Sequence, residues 1–179
     1  ELVNKLIAEE PNNYKAYLLK AKIYGELDDE SEWEPSLKKA LEVAPRQPEV
    51  YVRYGGYLEG SNRTDEALKL YKQGITLIPK SAELHYQVGL IYRDSLKNLS
   101  EALRYFEQAV NFESSNSYHY AYGTVLRDLG KLAEALKAFT LAILWHEQER
   151  KKNEKDKGYN YDADWHANTY TEVTHLNLT

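Results

Sequence analysis

The sequence of 179 residues contains no cysteine, no methionine and no long hydrophobic run. The absence of cysteine excludes disulfide frameworks, thiolate zinc sites and cysteine nucleophiles, although it leaves the compartment open. The longest apolar run, Ala138–Trp145, includes Thr140 and is too short to cross a bilayer. The amino-terminal residues do not resemble a signal peptide. The compartment stays unknown from the sequence, with the cytoplasm as the default expectation.

An excess of positive charge is also missing. The formal net charge is −5 and the pI is about 5.6. Proteins that bind the phosphate backbone present basic surfaces, so we expect no nucleic-acid partner. Five prolines and nine glycines are too few for a sandwich with many turns.

Motifs for catalysis are absent as well. The chain has no Gly-x-Ser-x-Gly, no phosphate-binding Gly-x-x-x-x-Gly-Lys and no dinucleotide fingerprint, so we predict no enzyme activity and no cofactor. Asp162, Asp164 and His166 have a spacing that hints at a metal. However, Ala167 and Val173 stand where a calcium loop has Gly and Glu. We interpret this segment as a solvated turn and predict no metal site.

The sequence does contain a repeat with a period of 34 residues. Within one period the apolar spacing is helical, as at Tyr51, Tyr54 and Leu58. Turn residues follow, and Thr64, Ser31 and Ser100 are expected to cap the helices that come next. The tripeptide Glu-Ala-Leu recurs at spacings of 35 and 33, a variation that we expect loops to absorb. Four columns keep the period: Ala21, Gly55, Gly89 and Gly123; Tyr17, Tyr51, His85 and His119; Tyr24, Leu58, Tyr92 and Leu126; Pro11, Pro45 and Pro79.

This pattern of rings, small residues and a terminal proline resembles the tetratricopeptide repeat (TPR) family over residues 14–147. The resemblance implies an all-α fold, a right-handed superhelical solenoid of antiparallel helix hairpins. The array is predicted over 1–147, with residues 1–11 as the end helix of a preceding repeat. The repeats then cover approximately 14–47, 48–81, 82–115 and 116–149. We expect 148–158 to be a charged helix extension or linker and 159–179 a carboxyl-terminal cap segment. Because the sequence opens within a repeat, we infer a longer parent protein or a lone amino-terminal cap helix.

In TPR arrays the first helix of each repeat lines a concave groove that holds partner peptides or helices. Helix periodicity then places one set of residues in the groove. These are Lys22, Arg53, Tyr86, Leu90, Arg93, Tyr120, Thr124 and Arg127, beside Leu18, Val52 and Gly56.

Tyr86 and Tyr120 are 34 residues apart, and so are Arg93 and Arg127. Ladders of rings and guanidinium groups would suit an extended partner with acidic and apolar residues. Alternatively, the neighbouring Asp94 and Asp128 neutralise the arginines. His85 and His119 share the ring column and are interpreted as packing residues.

One family-specific arrangement is absent. TPR domains that clamp the carboxylate of Hsp70 or Hsp90 tails use Lys, Asn and Arg at set positions, and those positions here hold Leu18, Lys22, Arg53, Glu83 and Gln87. We therefore predict no binding of these tails through that clamp.

Three functions remain open. The first is a protein-interaction scaffold that binds a partner peptide or helix in the groove. The second is an accessory TPR region of a larger enzyme, and the third is a self-assembling structural protein.

Overall fold

The computed structural model describes residues 2–153 and 163–177, which form helices and turns. The helices are α1 (Leu2–Glu9), α2 (Tyr14–Glu26), α3 (Glu30–Val43), α4 (Pro48–Gly60), α5 (Thr64–Leu77), α6 (Ala82–Leu90), α7 (Leu99–Phe112), α8 (Asn116–Asp128), α9 (Leu132–Asn153) and α10 (Ala163–Asn177). A π-helical turn, Ile91–Ser95, continues α6. The predicted all-α class is therefore confirmed.

The chain divides into two compact units, Glu1–Val88 and Gly89–Thr179. In unit 1, α2 packs against α3 and α4 against α5. In unit 2, α8 packs against α9, and α10 packs against α9. Since short turns join α2 to α3, α4 to α5 and α8 to α9, each of these pairs is an antiparallel hairpin.

The column of small residues lets the two helices of a hairpin approach closely. A Cβ atom at Gly55 would overlap the Tyr71 ring, and one at Gly123 would lie 2.8 Å from the Phe139 ring. Both rings are almost completely buried. The glycines therefore form notches that receive the ring of the second helix.

The ring column ties each repeat to the end of the preceding one. The hydroxyl of Tyr51 donates to the carbonyl oxygen of Pro45 at 2.8 Å, and that of Tyr17 donates to Pro11 at 3.0 Å. His85 and His119 are buried at the same column positions in the next two repeats. Burial lowers the pKa of His119, so its ring is neutral near pH 7.

The helix caps lie one or two residues earlier than the sequence indicated. Asp29, not Ser31, caps α3 by accepting from the Ser31 amide at 3.0 Å. Asn98, not Ser100, caps α7 by accepting from the Glu101 amide at 3.1 Å. Arg63 holds the N-cap position of α5 without a side-chain cap bond, and Thr64 is the first helical residue.

The extra residue of the third repeat lies in the π-helical turn, contrary to the expectation that a loop absorbs it. Each repeat has a residue with positive φ after its first helix. In the other three repeats this residue lies seven positions after the Ala or Gly of the small column, as Asn62 does after Gly55. From Gly89 to Lys97 the distance is eight positions. The backbone bonds agree, because Asn98 donates to Tyr92, six residues back, whereas Arg63 donates five residues back to Leu58. A π-helical turn accommodates one additional residue within a helix.

Near the carboxyl terminus, α9 extends to Asn153, so residues 148–153 are helical. Residues 154–158, from the predicted extension or linker, lie outside the described residues. Of the predicted cap segment, 163–177 form α10. Val173 and Leu176 of this helix pack against a core cluster that includes Leu126 and Phe139.

Candidate functional site

An open groove in unit 1 runs along α2 and α4, the first helices of the first two repeats. Its apolar wall includes Leu18 and Leu19 on α2 and Val52 on α4. Gly56 also lines it, and a Cβ atom there would have no neighbour within 4 Å. The charged lining residues are Lys15, Lys22, Arg53 and Arg63 and also Glu26, Asp28, Glu30, Glu34, Glu49 and Glu83.

The rings of Trp33 and Tyr57 form an aromatic pair in this groove. Trp33 stands where the other repeats have a small residue, and Gly25 provides the space that it needs. A Cβ atom at Gly25 would lie 2.8 Å from the Trp33 ring. The Trp33 ring meets the Tyr57 ring edge to face, with 4.9 Å between centroids. The corresponding small residues are Ala67, Ala102 and Ala135, and the residues at the position of Gly25 are Glu59, Arg93 and Arg127.

Sequence reasoning did not place Trp33 in the groove. The available signal was the exchange of size at two positions: a large ring replaced alanine while glycine replaced a long side chain. Two such changes in one repeat indicate that the hairpin has repacked around the ring.

An ionic network borders the groove at Glu34. This carboxylate accepts from Arg63 at 3.0 Å and from the Tyr54 hydroxyl at 2.8 Å, and Lys38 lies 3.1 Å away. Burial opposes ionisation of Glu34, but the hydrogen bonds from these three groups outweigh it and lower the pKa to about 2. The network joins α3 to α4 and to the turn before α5.

Glu34→Gln is expected to lower the free energy of unfolding by about 2 kcal/mol at pH 7, after allowing for solvent at this partly exposed site. Because the folded state depresses the pKa of Glu34, the contribution is present above about pH 4.5 and is lost as the pH falls towards 2. Urea unfolding of both proteins at pH 7 and pH 3 measures this, and the difference should narrow at pH 3. The control is Glu42→Gln, which removes an exposed ion pair with Lys39. If the difference in the free energy of unfolding between the unchanged protein and Glu34→Gln is the same at both pH values, the network does not depend on the ionised Glu34.

Five of the groove residues predicted from the sequence line the unit 1 groove: Leu18, Val52 and Gly56, and the two basic residues Lys22 and Arg53. Both basic residues are exposed and take part in long ion pairs, Lys22 with Glu26 at 3.7 Å and Arg53 with Glu49 at 4.0 Å. Such pairs on the surface are weak and leave both side chains available to a ligand.

The two predicted arginines of unit 2 are engaged with neighbouring carboxylates. Arg93 binds Asp94 through two nitrogens at 2.7 and 2.8 Å. Arg127 binds Asp128 at 2.8 and 3.0 Å and also binds Glu172 of α10. This arrangement matches the alternative in which adjacent aspartates neutralise the arginines. A role for either arginine in partner binding stays a prediction.

The remaining predicted residues are partly buried. Tyr120 packs against Phe139 with 5.6 Å between ring centroids, and the Thr124 hydroxyl donates to the Ala121 carbonyl at 2.7 Å. Tyr86 and Leu90 lie on α6 and are also partly buried. None of these four residues lines the groove of unit 1.

The structure offers no metal centre among its described residues, since they contain no group of three or more His, Asp or Glu side chains arranged to hold an ion. The metal spacing of Asp162, Asp164 and His166 is not covered by these described side chains. Asp162 lies outside the described residues, and so do the side chains of the other two.

No helix within 2–153 or 163–177 has the length and apolar content that a membrane span requires.

Hairpins repeated at 34 residues, with glycine notches and an open groove along the first helices, place the chain in the class of helical-repeat proteins. The family models for the tetratricopeptide repeat match residues 14–47, 48–81 and 80–149. The chain therefore belongs to the tetratricopeptide repeat family. This family in general provides non-catalytic scaffolds for protein–protein interaction.

Two relatives illustrate how far the similarity extends. The chain is 33% identical over 85 residues to human Interferon-induced protein with tetratricopeptide repeats 2, a match that covers 46% of this chain and 18% of that protein. It is 26% identical over 114 residues to human Protein O-mannosyl-transferase TMTC1, covering 62% and 13%. The chain thus spans less than a fifth of either relative.

Solved structures share the fold. YrrB, described as a TPR protein with an unusual peptide-binding site, superposes with a TM-score of 0.65 at 20% identity, covering 99% of this chain and 83% of YrrB. MamA has a TM-score of 0.64 at 23% identity, covering 83% and 87%. The protein TTC0263 of Thermus thermophilus has a TM-score of 0.69 at 20% identity, covering 97% and 88%.

Proposed function

We propose that this chain is a protein-interaction scaffold that binds a peptide or helix of its partner in the groove of unit 1. The observation that carries the proposal is the open apolar wall of Leu18, Leu19 and Val52, bordered by charged side chains. Apolar contact supplies affinity in such a site, and the polar border fixes the register of the ligand.

Gly56 supports the same proposal. Glycine in a helix interior costs about 1 kcal/mol relative to alanine, and at Gly56 no neighbouring side chain requires the missing Cβ. Glycine at this position keeps the groove open beside α4, which leaves room there for a side chain of the ligand. YrrB, which shares the fold, is described as having a peptide-binding site, and this also favours a peptide as the ligand.

The test is to obstruct the groove at Gly56. A peptide selected from a random display library against the full chain is labelled, and its affinity is measured by fluorescence anisotropy. Gly56→Trp should weaken binding at least about tenfold, a loss of about 1.4 kcal/mol, because the indole occupies the open space. Gly56→Ala is the matched control and should change the affinity less than about twofold.

Urea unfolding of both variants establishes that the fold is retained. Equal affinity of Gly56→Trp and Gly56→Ala for the selected peptide would show that the peptide binds elsewhere, and the groove proposal would then be wrong.

We also propose that the chain itself has no catalytic activity, that it does not bind nucleic acid, and that it does not bind Hsp70 or Hsp90 tails through a carboxylate clamp. Four of the five positions where a clamp would stand line the groove, and they hold Leu18, Lys22, Arg53 and Glu83. The carboxylate of Glu83 would repel such a tail.

A second candidate is an accessory TPR region of a larger enzyme. The similarity to Protein O-mannosyl-transferase TMTC1, of which this chain spans 13%, favours it. The complete coding sequence decides between the two: a separate catalytic domain in it supports the accessory role, and a sequence of repeats alone contradicts that role.

Self-assembly is the third possibility from the sequence. It is tested by sedimentation at several concentrations, where a constant monomer mass would exclude it.

A further inference from the structure

One face of α3 presents an aromatic ring between two carboxylates to the groove of unit 1. Glu30, Trp33 and Glu34 are spaced i, i+3 and i+4, so they share a face of the helix, and all three line the groove. Tyr57 of α4 contacts the Trp33 ring, with 4.9 Å between the ring centroids. Glu34 is already bound by Arg63 and Lys38, so Glu30 is the carboxylate of this face that remains for a ligand. An aromatic ring near an unpaired carboxylate attracts cations.

The charges around the groove are unequal, with six acidic and four basic side chains among its lining residues. Lys22, Arg53 and Arg63 each have a carboxylate partner within 4.0 Å. Among the described residues, Asp28 and Glu30 have no ion-pair partner within that distance.

These two carboxylates lie at one end of the groove, in the turn after α2 and the first turn of α3. Lys15, the remaining basic residue, lies at the start of α2, about 16 Å along the helix axis from Glu26. One end of the groove is therefore acidic and aromatic.

We propose that the groove of unit 1 selects a peptide segment that combines apolar residues with basic ones, and that a Lys or Arg of this segment lies against Trp33 near Asp28 and Glu30. This inference rests on the groove-binding function proposed above and adds the chemistry of the partner. The apolar residues contact Leu18, Leu19 and Val52, while the cation contacts the ring and the carboxylates.

The sign of this charge is opposite to the expectation from the sequence, which was an acidic and apolar partner. That expectation depended on Arg93 and Arg127, and both are bound to adjacent aspartates. In the groove of unit 1 the arginines are likewise paired, whereas carboxylates at the α2–α3 turn are not.

The experiment uses three labelled peptides of about twelve residues. They share the same Leu and Phe residues and differ only in their spacer residues, which are Lys, Glu or Ser. Anisotropy is measured with the full chain, with Gly56→Trp, with the groove variant Asp28→Asn/Glu30→Gln and with the control Asp65→Asn/Glu107→Gln. Asp65 and Glu107 lie outside the groove, so both double variants remove the same charge but only one changes the groove.

The Lys peptide should bind most tightly, and Gly56→Trp should abolish its binding. The groove variant should weaken it about fivefold, an effect that diminishes at about 0.5 M NaCl, and the control variant should weaken it less than about twofold. Asp28→Asn is chosen because asparagine also tolerates the positive φ of residue 28.

Three outcomes would contradict the inference, and they are distinguishable. If the Glu peptide binds as tightly as the Lys peptide while Gly56→Trp still blocks both, the groove function stands and the assigned charge is wrong. If Gly56→Trp leaves binding of every peptide unchanged, the groove proposal fails and this inference fails with it. If the groove variant and the control variant weaken binding of the Lys peptide equally, the effect comes from the net charge of the chain alone, and the inference is wrong.

Discussion

Gly55→Ala is expected to lower the free energy of unfolding by about 2–3 kcal/mol. An alanine Cβ would overlap Cζ of Tyr71. This ring is 1% exposed, and its hydroxyl donates to Glu59 at 2.8 Å, so the ring is held at both ends and cannot turn away. The substitution must therefore force α4 and α5 apart.

The neighbouring glycine provides the control. Gly56→Ala places a Cβ atom in open space on the same helix, and the free energy of unfolding should stay constant or rise by up to about 1 kcal/mol. Urea unfolding followed by circular dichroism measures both variants. Similar effects of the two substitutions would contradict the close approach of α4 and α5.

Phe106→Ala is expected to lower the free energy of unfolding by about 3–5 kcal/mol. Phe106 is fully buried on α7, and its ring occupies the notch at Gly89, where a Cβ atom would lie 2.6 Å away. Removing the ring leaves a cavity beside Gly89 that the surrounding side chains fill only in part.

A second phenylalanine of α7 is the matched control. Phe112 is 37% exposed, whereas Phe106 is 0% exposed, so Phe112→Ala should cost about 1 kcal/mol or less. Thermal and urea unfolding should rank the two variants in this order. A reversed order would mean that the glycine notch does not define the packing of the third repeat.

The helices and their pairing could be predicted from the sequence because every repeat has a small residue on its first helix where the second helix packs closely. The glycine and ring columns occur three or four times at one spacing, so an error in one repeat is corrected by the others. Helix caps depend on a single local hydrogen bond. Spacing alone could therefore not decide whether Asp29 or Ser31 caps α3, and the structure has Asp29 as the cap.

The π-helical turn lay beyond what spacing can predict. The recurrence of Glu-Ala-Leu showed that one residue is added in the third repeat but did not distinguish a longer loop from a wider helical turn. The position of Lys97 at positive φ, eight residues after Gly89, places the added residue in the helix.

The candidate site was only partly predictable. Periodicity identified Lys22 and Arg53 because it determines which face of α2 and α4 is exposed. It left pairing of Arg93 and Arg127 with Asp94 and Asp128 as one of two alternatives, and it did not predict the contact of Arg127 with Glu172, since such pairs depend on the direction of long side chains. Trp33 enters the groove through its packing against Gly25, a contact between positions that the family pattern treats separately.

The most direct test of the groove as the binding surface is a titration of the isotope-labelled full chain with the selected peptide, followed by amide chemical shifts. The account predicts that the largest shift changes fall in α2 and α4, at Leu18, Val52 and Gly56, and at Trp33. Shift changes confined to α9 and α10, with α2 and α4 unaffected, would contradict it.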